Sequence, residues 1–179
     1  MNSRIASRSF VLAAAFTVTL AATALSQTLP PTTPVVHPPV SLSGPRFGMT
    51  FLGQGVIDQL EEHDVTVGPV VSQFGWQFEK RLYAGGNGLT ALNEWVVLVG
   101  GLEQGVALPS VNWLVGLRTK EGAEFGIGPN ITPLGVGLVL AAGTTFKAGA
   151  LNIPVNFAVV PSKAGVRVSF LTGFNTKRW

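Results

Sequence analysis

The chain contains no cysteine, which excludes a disulfide framework, a cysteine metal site and a cysteine-linked lipid anchor. Charged residues make up 12% of its 179 residues, about half the share that is usual for soluble domains. No stretch beyond the first 26 residues is apolar and long enough for a membrane helix. A domain with these absences must be held together by its own secondary structure.

A basic surface is also missing. The chain has 12 Lys and Arg against 9 Asp and Glu, but Arg4 and Arg8 lie at the extreme N-terminus. Without these two the count is 10 against 9, and the remaining bases are scattered along the chain. No basic stripe is present, so we expect no nucleic-acid partner.

The N-terminal residues have the pattern of a secretory signal. Arg4 and Arg8 precede an uncharged apolar run from Phe10 to Leu25, and small residues follow that suit cleavage before Gln27. We predict a signal peptide over 1–26. Residues 27–45 are rich in Pro, Ser and Thr and predict an extended periplasmic linker outside the fold, with the folded domain over 46–179.

The strongest pattern is a two-residue alternation of apolar and polar residues, clearest from Leu134 to the C-terminus. Such a period is typical of strands with one apolar face. Gly and Pro separate the alternating segments. The predicted strands are 46–53, 69–83, 90–102, 109–119, 122–130, 134–147, 150–160 and 165–175. The segment between the first two is long and acidic and contains a potential helical turn, VIDQLEEH. An even number of strands with mostly short turns predicts an all-β, eight-stranded, antiparallel up-and-down transmembrane barrel with both ends of the chain on one side.

The two faces of the strands differ in kind. One face carries most of the aromatic side chains; the other is rich in Gly, Ala and Asn, with a few charges of both signs. Small residues and balanced charges suit the narrow interior of an eight-stranded barrel, where an unpaired charge is costly. We assign Glu94 inward and Trp95 outward. The candidate lumen charge network is Glu79, Arg81, Glu94, Arg118, Glu124, Lys147 and Arg167. Eight strands leave room only for side chains, so we expect no open pore.

The alternation also fits an alternative class, a soluble exported β-barrel that binds an apolar ligand. That class needs the opposite arrangement, with the apolar face inside and the polar face in water. We favour the membrane barrel because the polar face is made of small residues, whereas a solvated face usually carries Thr, Lys, Glu and Arg.

Three segments, PSVNWLVGLR (109–118), GAEFGIGPN (122–130) and LNIPVNFAVVPSKAGVRVSFLTGFN (151–175), resemble small bacterial outer-membrane β-barrel proteins of unassigned function. This resemblance implies a location in the bacterial outer membrane, contact with its lipid, and insertion by the barrel-assembly machinery. It implies no activity. A terminal aromatic residue is a common assembly signal in such barrels, and Phe174 and Trp179 are the candidates. They are five residues apart, so either a bulge joins them in one strand or the strand closes at Phe174.

Catalytic and metal-binding patterns are weak. His63 lies among acidic residues, but no serine occurs between Ser43 and Ser72 to serve as its nucleophile. The acidic segment lacks the spacing of a calcium loop, and the glycine pairs near 126–137 lie in strands and not before a helix. We therefore predict that the protein is not an enzyme and holds no cofactor or metal. We predict an envelope-structural or surface-recognition role, with the acidic 54–68 loop as the candidate surface. The candidate surface residues of that loop are Asp58, Glu61, Glu62, His63 and Asp64.

Overall fold

A computed structural model describes residues 41–176 of the chain. The predicted signal peptide, most of the predicted linker and Trp179 lie outside the described residues. The elements are β1 (Gly44–Leu52), α1 (Gln54–Glu61), β2 (Val70–Ala84), β3 (Thr90–Gly100), a 3-10 helix (Leu102–Gln104), β4 (Leu108–Arg118), β5 (Ala123–Thr132), β6 (Gly135–Ala148), β7 (Leu151–Ser162), β8 (Gly165–Gly173) and β9 (Asn175–Thr176). Within the described range, no helix is long and apolar enough to cross a membrane, a finding that does not bear on crossing by strands.

The strands form one closed antiparallel barrel. Each of β1 to β8 pairs with its neighbour along the chain, and β1 pairs with β8 to close the sheet. The prediction of an all-β, eight-stranded, up-and-down barrel is confirmed. Because the strand number is even, β1 begins where β8 ends. We call this side the terminus end and the opposite side, where α1 lies, the helix end.

The two-residue β9 continues β8. Val155 pairs with Thr172, and Asn152 pairs with Asn175 in the same register, so no bulge intervenes around Phe174. Pro154 of β7 lies opposite the point where β8 ends and β9 begins, and proline has no N–H with which to complete the hydrogen-bond ladder there. The strand therefore runs past Phe174 to Thr176 without a register shift, with the Phe174 side chain about half exposed.

The domain begins slightly earlier than the sequence predicts. Gly44 and Pro45, assigned above to the linker, are the first two residues of β1. Leu42 is almost completely buried, and its carbonyl accepts a hydrogen bond from Arg46. The potential helical turn in the long acidic segment is the eight-residue helix α1.

Burial along the strands alternates with a period of two. In β3, Val96 is 6% exposed and the adjacent Val97 is 43% exposed. Glu94 is buried and Trp95 is half exposed, as the sequence predicts. The aromatic side chains among residues 41–176 thus lie on the outside of the barrel, whereas polar residues share its interior with buried Leu and Val side chains.

Glycine allows the narrow wall to curve at specific points. A Cβ added to Gly128 would overlap the backbone carbonyl of Trp113 on β4, so only glycine fits without a backbone shift. Gly126, two residues earlier on the same face, has its nearest neighbour at an ordinary 3.6 Å from such a Cβ. The close approach of β4 therefore requires glycine at position 128 and not at position 126.

Candidate functional site

A charged cluster fills the terminus end of the barrel. Arg118, at the end of β4, donates hydrogen bonds from its two terminal nitrogens to both carboxylate oxygens of Glu79. Its Nε donates to Glu124 at 2.7 Å. The Glu79 side chain is fully buried. Arg118 therefore serves two carboxylates at once, in the bidentate geometry that suits a guanidinium.

A second polar chain lies beside this cluster. The Arg46 side chain is buried, and its Nε donates to Gln77 Oε1 at 2.9 Å. Gln77 Nε2 in turn donates to Glu94 Oε1 at 2.7 Å. Gln77 thus links a buried base to a buried acid without direct contact between them. Buried polar groups that are hydrogen-bonded in this way fix one packing arrangement of the interior.

The structure brings together only part of the predicted lumen network. Glu79, Arg118 and Glu124 are in direct contact, and Glu94 joins through Gln77. Arg81 is half-buried on β2 and forms none of the ion pairs found among residues 41–176. Lys147 is exposed near the end of β6 and forms none of these ion pairs either. Arg167 lies on the opposite side of the interior, toward the helix end.

An apolar layer separates the two ends. Val96, Leu98, Leu114, Val139, Val160 and Leu171 form one buried cluster contributed by β3, β4, β6, β7 and β8. This layer gives the space on its helix-end side an apolar floor.

That space is a cavity of about 90 Å³ in the helix-end half of the barrel. Its floor includes Leu98, Val139 and Leu171, and its roof includes Val56 and Leu60 of α1. Its polar wall is formed by Thr50, Gln73, Ser110, Asn112, Asn130, Thr132, Arg167 and Ser169. The expectation that side chains fill the interior holds for the terminus end, whereas the helix end retains an internal space.

Hydrogen bonds orient the polar wall of this cavity. Arg167 Nη2 donates to Asn130 Oδ1 at 2.8 Å. Asn130 Nδ2 donates to Asn112 Oδ1 at 2.7 Å and to Ser110 Oγ at 3.0 Å. On the other side, the hydroxyls of Thr50 and Ser169 are 2.7 Å apart. The guanidinium is thus held in place by neutral partners.

Helix α1 closes the helix end with its apolar face. Val56 and Leu60 pack with Val67 and Val71 in a second buried cluster, separate from the apolar layer. Gly55 permits this close approach, since a Cβ there would overlap the carbonyl oxygen of Ala164 in the β7–β8 turn. The helix is therefore a cap seated on the rim of the barrel.

The opposite face of this cap carries the predicted surface residues. Asp58, Glu61, Glu62, His63 and Asp64 are all exposed. His63 Nδ1 is 2.8 Å from the Gln59 carbonyl oxygen, a local contact at the helix C-terminus. Within residues 41–176, no group of three or more His, Cys, Asp and Glu side chains is arranged to hold a metal ion. The structure therefore presents the acidic residues as an outward surface.

The loop between β3 and β4 reinforces the same rim. Glu103 accepts hydrogen bonds from the hydroxyl and the backbone N–H of Ser72, and these lower the pKa of Glu103 to about 2. Gln104 accepts from the Gly68 N–H at 2.6 Å and donates to the Val70 carbonyl at 2.7 Å. Both side chains fasten the loop to the start of β2, next to the cap.

Comparisons with known proteins add no relative: no family model, no curated protein and no solved structure matches this chain. The interpretation of the site therefore rests on the geometry above.

Sequence reasoning missed several interior residues. Arg46 lies at the first position of the predicted domain. The available signal for its place in the network was its position in the two-residue alternation, on the inward-facing side of the first strand. Asn112 and Asn130 share inward parity but carry no charge to draw attention. The cavity had no sequence signal, because alternation gives the face of a residue and not its height along the barrel axis.

Proposed function

We propose that this protein is a small non-enzymatic β-barrel of the bacterial outer membrane, with an envelope-structural or surface-recognition role. The observation that carries the proposal is the composition of the outer wall. Each of the eight barrel strands exposes at least one aromatic side chain by more than two-fifths: Phe47, Phe74, Trp95, Trp113, Phe125, Phe146, Phe157 and Phe170.

The apolar wall must face a medium that tolerates apolar surface. Soluble monomers rarely expose contiguous apolar patches larger than a few hundred Å². Here an apolar surface surrounds the barrel, while the charged residues Arg46, Glu79 and Glu94 are inside. This is the arrangement of a membrane barrel, with an apolar band outside and polar side chains inside. The soluble ligand-binding barrel would need the reverse, so the wall favours the membrane.

Orientation then assigns the exposed acidic surface. Barrels of this class have their short turns on the periplasmic side and their longer loops outside. The 53–69 connection is the longest within the described chain and lies at the helix end. We place the terminus end in the periplasm and the acidic face of α1 outside the cell. That surface favours cationic partners, or divalent ions that bridge to lipopolysaccharide.

Adjacent thiols on β3 test the outer wall. The native chain has no cysteine, so Val97→Cys and Val96→Cys each introduce a single thiol at neighbouring positions of the same residue type. In isolated outer membranes, a lipid-soluble maleimide should label position 97 and a membrane-impermeant one should not. Position 96 should react with neither before denaturation. Labelling of position 97 by the impermeant reagent in a soluble fraction would contradict the proposal.

A charge-neutral variant tests the surface role. Asp58→Asn, Glu61→Gln, Glu62→Gln and Asp64→Asn together remove the acidic charge, and Asn at 64 tolerates the left-handed backbone found there (φ 60°). We expect weaker calcium-dependent adhesion to lipopolysaccharide and greater detergent sensitivity of the cells. The matched control, Lys120→Gln with Glu121→Gln, alters an exposed ion pair at the terminus end. No difference between variant and control would remove the acidic surface from the proposal.

A further inference from the structure

The cavity under α1 combines two features that suit an amphipathic ligand. Its floor and roof are aliphatic, and its wall carries a guanidinium, that of Arg167. No Asp or Glu side chain lines it. The ion pairs among residues 41–176 join Arg118 to Glu79 and Glu124, and Lys120 to Glu121, and none includes Arg167.

Arg167 also forms fewer hydrogen bonds than its guanidinium can donate. A guanidinium has five N–H donors. Asn130 Oδ1 accepts one at 2.8 Å, and Thr132 Oγ1 lies at the outer limit of 3.5 Å from another nitrogen. Both partners are neutral, and the Arg167 side chain is partly buried. The contrast with Arg118, which contacts two carboxylates, marks Arg167 as a cation that faces the cavity without a counter-ion from this part of the chain.

The size of the cavity limits the ligand. A volume of about 90 Å³ corresponds to roughly three waters at about 30 Å³ each, so the ligand that fits is a short carboxylate of up to about four carbons. The cap over it is fastened by apolar contacts of Val56 and Leu60, which can open locally without unfolding the barrel.

We propose that this cavity is a binding site for a small amphipathic carboxylate. Arg167 pairs with the carboxylate, and the aliphatic tail lies against Val139, Val160 and Leu171. This site does not depend on the membrane proposal, because the cavity is internal whichever medium surrounds the wall.

The test uses butyrate as the probe and butanol as its uncharged counterpart. The folded barrel, labelled with ¹³C at Leu and Val methyl groups, is titrated in dodecyl maltoside micelles and observed by NMR. Butyrate should shift the methyl signals of Val139 and Leu171 in a saturable manner and leave that of the outward-facing Val97 unchanged. This internal comparison separates binding in the cavity from partition into the micelle.

Variants identify the role of the charge. Arg167→Gln should weaken butyrate binding at least about tenfold and change butanol binding less than about threefold. Arg167→Lys should retain binding within about threefold, and Arg81→Gln, which removes an inward arginine outside the cavity, should have no effect. If Arg167→Gln fails to fold, Val139→Phe fills the cavity with Arg167 intact and should abolish the shifts.

Two results would overturn the proposal. One is the absence of saturable shifts at Val139 and Leu171 in the unaltered protein. The other is equal binding of butyrate and butanol that Arg167→Gln leaves unchanged, which would make the cavity an apolar space without an anion site.

Discussion

The two ends of this barrel solve the problem of a narrow interior in different ways. The terminus end is filled by charged side chains that satisfy one another, with Arg118 between Glu79 and Glu124. The helix end is closed by the apolar face of α1 and retains a cavity in which Arg167 has no ion pair from residues 41–176. One end is filled by its own ion pairs, and the other retains an internal space.

The largest expected effect comes from one substitution made at each end. Arg118→Gln leaves buried Glu79 and Glu124 without their cation, which should cost about 3–5 kcal/mol of unfolding free energy. Arg167→Gln removes the cationic partner of no carboxylate among residues 41–176, so it should change the unfolding free energy by less than about 1 kcal/mol. Urea titration of the folded barrel in micelles measures both. Adding Glu79→Gln to Arg118→Gln should recover part of the loss, and similar effects of the two arginine substitutions would remove the contrast.

The cap should be the less stable part of the helix end. Leu60→Ala removes a side chain that is 4% exposed and should weaken α1 docking by about 2–5 kcal/mol. Glu61 is the last residue of α1 and is followed by Glu62, so cleavage by a glutamate-specific protease should accelerate there. The urea midpoint of the barrel should stay constant. Leu102→Ala, at an exposed leucine of the adjacent loop, is the control. A lowered barrel midpoint would mean that cap and wall unfold as one unit.

The wall shared by the two ends offers a matched glycine pair. Gly128→Ala forces a Cβ into the Trp113 carbonyl and should cost about 1–3 kcal/mol. Gly126→Ala meets only ordinary contacts and should lie within about 1 kcal/mol of the unaltered protein. Unfolding midpoints of the two variants provide the measurement. Equal midpoints would show that the strands relax around an added methyl group.

The smallest effect concerns Glu103 at the helix-end rim. Its folded-state pKa is lowered to about 2 by hydrogen bonds from Ser72, so its contribution is present above the unfolded value of about 4.3 and is lost as pH falls through about 2. The Glu103 carboxyl ¹³C shift should therefore titrate near pH 2. In Ser72→Ala, which removes the hydroxyl donor, the midpoint should rise. A midpoint near 4.3 in the unaltered protein would show that this contact is not formed in solution.

Much of the fold was predictable because period-two alternation reports directly which face each residue occupies. Glu94 and Trp95, Val96 and Val97 follow it without exception. The height of each residue along the barrel axis was not predictable, since strand tilt and stagger decide which residues of different strands lie at the same height. Lys147 therefore has inward parity and still lies exposed at a strand end, whereas Arg46 is fully buried. The cavity depends on how α1 packs against the rim, which no local pattern specifies.

The central claim is that this is a closed barrel whose apolar wall contacts the outer-membrane lipid. The most direct measurement is the migration of the full chain, expressed in a Gram-negative host and recovered from isolated outer membranes, on a detergent gel with and without boiling. The account predicts a faster band in the unboiled sample that converts to the slower, unfolded band on heating. A single band at one position, with the protein recovered from the soluble periplasmic fraction, would contradict it.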